Sequence, residues 1–265
     1  MYHIGLSLLV AAVVTLISSM IFGGSATSIA YGLIPGIIAG GAFFFWRSRV
    51  VANDMTAMME QVQSILAAPA KVRTQEEQDQ LRRKRIDKSI KIIEQGYRWE
   101  KWHPAIRGQL DAQIGTLLYV DGQNIRATEY LKRATPRNWV AMAMLGSVAY
   151  KRNQPEVMKQ TFEDALRFSK KETLLWNVYA WCVWSKGDTD AAIAILNRAR
   201  KHVASDDRTT RNLEALSNAK PMRMSDWGEE WMQFRLDDSA QKQAAQIQYQ
   251  VSKGGMNRRA TMRPR

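Results

Sequence analysis

The first 46 residues contain no Asp, Glu, Lys or Arg. All 38 basic and 25 acidic side chains, and with them the net charge of +13, lie between positions 47 and 265. The chain is therefore two regions in series: an apolar leader, and a basic polar part long enough for one domain with a real core. Cysteine is nearly absent. Cys182 stands alone on an apolar stretch, which excludes a disulfide framework, fits a reducing compartment and suits a thiol packed as a small apolar side chain. Histidine is scarce too. His3, His103 and His202 have no Cys, Asp or Glu at ligand spacing, so neither a metal nor a cofactor is expected. There is no Walker loop, dinucleotide fingerprint or nucleophile elbow, and the chain does not read as an enzyme.

The leader holds two apolar runs, residues 4–22 and 29–46, separated by Gly23-Gly24-Ser25-Ala26-Thr27-Ser28. Each approaches the ~20 residues a helix needs to cross the hydrocarbon core. A cleaved signal peptide is the rival reading, but Met1-Tyr2-His3 supplies no positive n-region and a second run follows directly. The expectation is a transmembrane helical hairpin over residues 1–49. Gly32, Gly36 and Gly40 lie at i, i+4 and i+8 on one face of the second span, where another helix can approach closely. Its partner is either the first span, through Ala11, Ser18 and Ser19, or another copy of the chain. Trp46, Arg47 and Arg49 flank the second span, so the N-terminus and the polar part are expected on the cytoplasmic side, in a bacterial inner membrane.

Val51, Met55, Met58, Met59, Val62, Ile65 and Leu66 follow a 3.6-residue period, so residues 50–73 read as an amphipathic stalk and linker. Its apolar face has three candidate partners: a copy of itself, the membrane surface, or the domain that follows. Thr74 and Glu77 form a capping box. The helix they open carries Arg82, Arg83, Lys84 and Arg85, a solvated face or a contact with acidic headgroups, and then Ile86, Ile90, Ile93 and Tyr97, which require burial.

Further along, two stretches superpose at a shift of 34 residues. Met142, Leu145, Gly146 and Ala149 match Trp176, Tyr179, Ala180 and Val183; Met158, Phe162 and Ala165 match Ala192, Leu196 and Ala199. An earlier copy comprises Asp111, Ile114, Gly115 and Leu118, then Ala127, Leu131 and Ala134. In each copy a turn residue, Gly122, Asn153 or Gly187, stands seven after the small residue. The chain resembles the tetratricopeptide repeat family over about residues 105–202. The leading Trp occurs only in the third copy, and Met158 stands where the family has Ala. The resemblance implies an all-α fold: a short solenoid of helix pairs with capping helices over residues 74–236.

It also implies a groove lined by first-helix residues off the packing stripe, namely Tyr119, Ser147, Tyr150, Lys151, Asn177, Trp181 and Trp184, suited to a peptide with apolar anchors. Lys151 and Asn177 alone do not reproduce the carboxylate clamp of some family members. Ser225-Asp226 is expected to cap a helix carrying Trp227, Trp231 and Phe234, which either covers the end of the solenoid or docks a partner. Residues 237–265 have the composition of a disordered basic tail, with Arg258 and Arg259 as further candidates for anionic-surface contact; nucleic acid is not the expected partner. The functional expectation is a membrane-anchored scaffold or adaptor for an unidentified protein or peptide. The alternative is a structural subunit of a homo-oligomeric membrane assembly joined through the glycine-faced span.

Overall fold

The computed structural model describes residues 2–21, 26–69, 74–101, 105–203 and 205–237. The loop at 22–25, His103, and the basic tail with Arg258 and Arg259 lie outside them. The described residues form eleven α-helices and two 3₁₀ turns, with no strand. They fall into two compact units that divide within one helix: residues 1–114 with 133–135, and residues 115–132 with 136–265.

In the first unit, α1 (Tyr2–Ile21) packs against the start of α2 (Ala26–Ala67). The glycines set the closeness of approach. A Cβ at Gly32 would stand 2.6 Å from the Thr15 carbonyl oxygen, one at Gly36 2.7 Å from that of Ala11, and one at Gly40 2.8 Å from that of Ser7. The glycine face is thus occupied by α1. Away from that contact the large apolar side chains are exposed: Leu8, Leu16, Ile17 and Met20 on α1, and Ile34, Ile37, Ile38 and Phe45 on α2. Of the two expected spans, one is identified as long and apolar enough to cross a membrane, residues 4–21.

The second expected span does not stop at its charged flank. Helix α2 continues as one element for 42 residues, because nothing between Arg47 and Ala67 breaks it. Its apolar stripe then meets α3 (Gln75–Gln95). Val51 and Val62 of α2 and Ile86, Ile90 and Ile93 of α3 are buried. The two helices run antiparallel: the Arg85 guanidinium reaches the Pro69 carbonyl (3.4 Å), and Gly96, just beyond α3, lies against the Met55 side chain (3.3 Å to a Cβ position). Of the three candidate partners for the methionine-rich stripe, the chain uses a segment of its own.

In the second unit three helical hairpins follow in series. The first is formed by the end of α4 (Ile106–Val120) with α5 (Asn124–Leu131). The second is α6 (Trp139–Lys151) with α7 (Pro155–Phe168), and the third α8 (Thr173–Trp184) with α9 (Thr189–Arg200). Small residues sit where the paired helices cross. A Cβ at Gly115 would be 2.7 Å from Leu131 and one at Gly146 2.6 Å from Phe162, while Ala180 is fully buried. The turns repeat one geometry. Gly122, Asn153 and Gly187 have φ of 87, 55 and 94°. Each is followed by an N–H that reaches back five residues: Gln123 to the Leu118 carbonyl (2.9 Å), Gln154 to Ala149 (3.0 Å) and Asp188 to Val183 (3.4 Å). This is the Schellman ending, which satisfies the last carbonyls of a helix.

Helix α10 (Asp207–Ser217) closes in the same way, the Lys220 N–H reaching Ala215 (2.8 Å), but with Ala219 at φ 53°. Among the described residues no full-length second helix follows it. An alanine in the left-handed region carries about 1–2 kcal/mol of steric cost, while glycine adds about 0.4–1 kcal/mol of unfolded-state entropy. Ala219→Gly should therefore stabilise the chain by roughly 0.5–1 kcal/mol, read as a higher urea midpoint at unchanged slope.

Candidate interaction site

The residues expected to line a groove come from three helices of the second unit: Tyr119 on α4, Ser147, Tyr150 and Lys151 on α6, and Asn177, Trp181 and Trp184 on α8. Three of them are closed off. Tyr119, Ser147 and Asn177 are 0 % exposed. What covers them is the chain itself. After α10 it runs back as a strap through a 3₁₀ turn (Met224–Trp227) and a single helical turn, α11 (Glu229–Met232). Gly228, at φ 53° and ψ −129°, separates the two, so the continuous helix expected from the spacing of Trp227, Trp231 and Phe234 does not form. All three aromatics are buried nonetheless.

Buried polar groups fix the start of the strap. The Asn177 amide donates to the Thr209 hydroxyl (2.8 Å) and to the Thr173 carbonyl (2.8 Å), and its oxygen accepts from Asn212 (2.8 Å). The Asn212 oxygen accepts the Arg223 backbone N–H (2.7 Å), and Thr209 is held in turn by Asp206 (2.5 Å). Buried amides satisfied in this way specify one arrangement, because any other leaves them unpaired. Asn177 is therefore the hub that attaches the strap to α8 and α10, with no donor or acceptor turned outward.

The rest of the strap is held by aromatics. Trp231 meets Trp181 edge to face, with centroids 5.1 Å apart. The Tyr119 hydroxyl donates to the Phe234 carbonyl and accepts from Lys151 Nζ (3.1 Å), and burial pushes its pKa far above the ordinary value. Arg235 donates to the Val120 carbonyl (3.2 Å) at the end of α4. Arg208 lies 3.6 Å from the Trp227 ring centroid. Asn212, Thr209 and Arg235 carried no sequence signal; what they do depends on partners 11 to 116 residues away.

A rim remains open beside the strap. Tyr150, Trp181 and Trp184 are half-buried and Lys151 is exposed. Tyr150 stands edge to face with Trp181 at 5.7 Å, accepts a hydrogen bond from Ser185 (3.0 Å), and has Lys186 Nζ 4.7 Å from its ring centroid. This patch presents aromatic faces beside two ammonium groups, of which Lys151 donates to the Tyr119 hydroxyl (3.1 Å) and Lys186 to the Asn153 side-chain oxygen (3.0 Å). Cys182 lies beneath it, fully buried, with its thiol pKa raised by burial, so it stays protonated and inert.

On the far side of the same helix pairs, Glu163 of α7 takes a bidentate bond from Arg198 of α9 (2.7 and 2.8 Å), which holds the carboxyl below its ordinary pKa. Phe162 and Tyr179 stack at 4.9 Å. Burial, and then Glu163, push the Tyr179 hydroxyl up to about 12.

The basic run belongs to the first unit. Arg82, Arg83 and Lys84 are exposed, with Arg85 beside Pro69, at the end of α2 remote from its apolar part. About 30 Å of helix separates Arg47 from Ala67 at ~1.5 Å per residue, several times the ~8 Å screening length at physiological salt. Among the described residues no group of three or more His, Cys, Asp or Glu is placed to hold a metal. No known family model matches this chain, and no curated protein matches it.

Removing the strap's main anchor should be costly: Trp231→Ala is expected to lose about 3–5 kcal/mol, measured by urea unfolding followed by circular dichroism. The raised Tyr179 pKa has a definite sign. The folded state holds its proton more tightly, so that contribution is complete below about pH 10 and is lost as pH rises through about 12. Melting temperatures should fall across that window, and Tyr179→Phe should flatten the fall.

Proposed function

We propose that this protein is a membrane-anchored adaptor. Helix α1 and the apolar start of α2 form a two-span hairpin in a bacterial inner membrane, with the N-terminus and the helical repeats on the cytoplasmic side. The exposed apolar side chains on both helices and the arginines that end the run support this reading. The hairpins of the second unit make a short solenoid of the tetratricopeptide kind, a reading supported by their shared turns and glycine crossings. The adaptor binds a protein or peptide partner and catalyses nothing.

The aromatic rim carries the proposal. Because the strap fills the inner face, the partner engages Tyr150, Trp184 and the accessible edge of Trp181, with Lys151 and Lys186 selecting acidic residues beside an apolar anchor. A photo-crosslinking amino acid at Trp184 in cells should give a discrete adduct, while one at the exposed Phe168 gives none. Tyr150→Ala with Lys186→Glu should abolish the Trp184 adduct. Equal labelling at 168 and 184, or an adduct indifferent to the double substitution, would exclude the rim.

A further inference from the structure

The 3₁₀ turn that follows α3 (Gly96–Trp99) brings a second tryptophan to the flank of the apolar part of α2. Trp46 ends the uncharged run and is 59 % exposed. The Arg47 guanidinium lies between two indoles, 5.9 Å from the Trp46 ring centroid and 5.8 Å from that of Trp99. Arg98 lies 5.3 Å from the Trp99 ring, and its side chain remains 64 % exposed while pairing with Asp54 (3.0 Å). Arg49 on α2 and Lys101, two residues beyond the 3₁₀ turn, are exposed.

The turn is held at a fixed height. The Tyr97 hydroxyl donates to the buried Asp111 (2.7 Å), and Arg107 pairs with Glu100 (2.9 Å). Arg98 bridges to α2 at Asp54, seven residues beyond Arg47 and so about 10 Å further along the helix at ~1.5 Å per residue. Tryptophan favours the headgroup layer, where its ring is half in hydrocarbon; Trp46 is exposed for that role, while Trp99 is half-buried with its N–H enclosed by protein. Cations at that depth meet lipid phosphates directly. Here two indoles from separate segments meet at the Arg47 guanidinium where the apolar stretch ends, with Arg98 paired further along α2.

We propose that Arg47, Arg49, Arg98 and Lys101, arranged around Trp46 and Trp99, form a collar that binds the phosphate groups of anionic lipids at the bilayer surface. The inference rests on the reading that α1 and α2 enter a membrane. The collar gives the protein a second foot on the bilayer: the turn after α3 rests on the headgroups, so the stalk is braced at its base as well as threaded through the bilayer. The distal run Arg82, Arg83, Lys84 and Arg85 takes no part.

The test is a titration of the full-length chain, purified in neutral detergent, with phosphatidylglycerol, the lipid-bound and lipid-free masses being read by native mass spectrometry. Phosphatidylglycerol should bind in preference to phosphatidylcholine, and inorganic phosphate should not compete. Arg98→Gln with Lys101→Gln should weaken binding by about fivefold per charge removed, while Arg98→Lys with Lys101→Arg keeps it. Arg82→Gln with Arg83→Gln should leave it unchanged. Equal affinity for both lipids, no loss in the Gln pair, or an equal loss in the distal pair would overturn the collar. Carbonate washing of native membranes reads the anchor separately. Release of the wild type overturns the membrane reading and the collar with it; retention, with a titration indifferent to the Gln pair, overturns the collar alone.

Discussion

A methyl group added at Gly36 would stand 2.7 Å from the Ala11 carbonyl oxygen, and one added at Gly146 would stand 2.6 Å from the Phe162 ring. Both units are built on helices that approach until a side chain no longer fits. At that separation backbone and side-chain atoms of the two helices come into direct van der Waals contact, each atom pair worth only ~0.1–0.2 kcal/mol but many acting together. In α1 and α2, contact of this kind is available whether water or lipid lies outside, since it does not require a hydrophobic difference between the helices and their surroundings. In the hairpins it sets the crossing at Gly115 and Gly146, and so the position of every residue on the faces that result.

Those faces are then shared out differently. The first unit turns large apolar side chains outward along α1 and the start of α2, and packs its stalk stripe on α3, with Val51 and Val62 buried and the methionines half-buried. The second unit covers its own inner face. The strap enters through satisfied amides at Asn177 and Asn212 and continues through Trp231 and Phe234. It lies over first helices of the hairpins, at Tyr119 of α4 and Trp181 of α8. What stays open beside the strap is a rim of partly exposed rings beside ammonium groups, rather than a trough.

Much of this organisation was legible in the chain. Turn residues seven beyond a small residue in three copies mark the hairpin ends, because residues that tolerate positive φ are favoured at the close of a Schellman turn. The 3.6-residue period from Val51 to Leu66 marks a buried stripe, but three partners were compatible with it. The spacing of Trp227, Trp231 and Phe234 signalled burial and suggested one helix. Gly228 divides that segment, and the three aromatics reach their sites along a bent path. Tyr119, Ser147 and Asn177 read as groove residues by register, and their register is a first-helix one; their exposure was not a property of register.

Local chemistry in the amino-acid order was sufficient for the all-helical class, the apolar leader, the hairpin turns and the glycine-lined helix face. Capping, helical period and backbone freedom act over a few residues and need no partner to be recognised. Tertiary structure alone decided which apolar stripe meets which, that Tyr119 and Trp181 are covered by the segment after α10, and that Trp99 joins Trp46 around Arg47. Each of these is a contact between segments far apart along the chain. Its free energy depends on both surfaces being present together, so neither segment declares it alone.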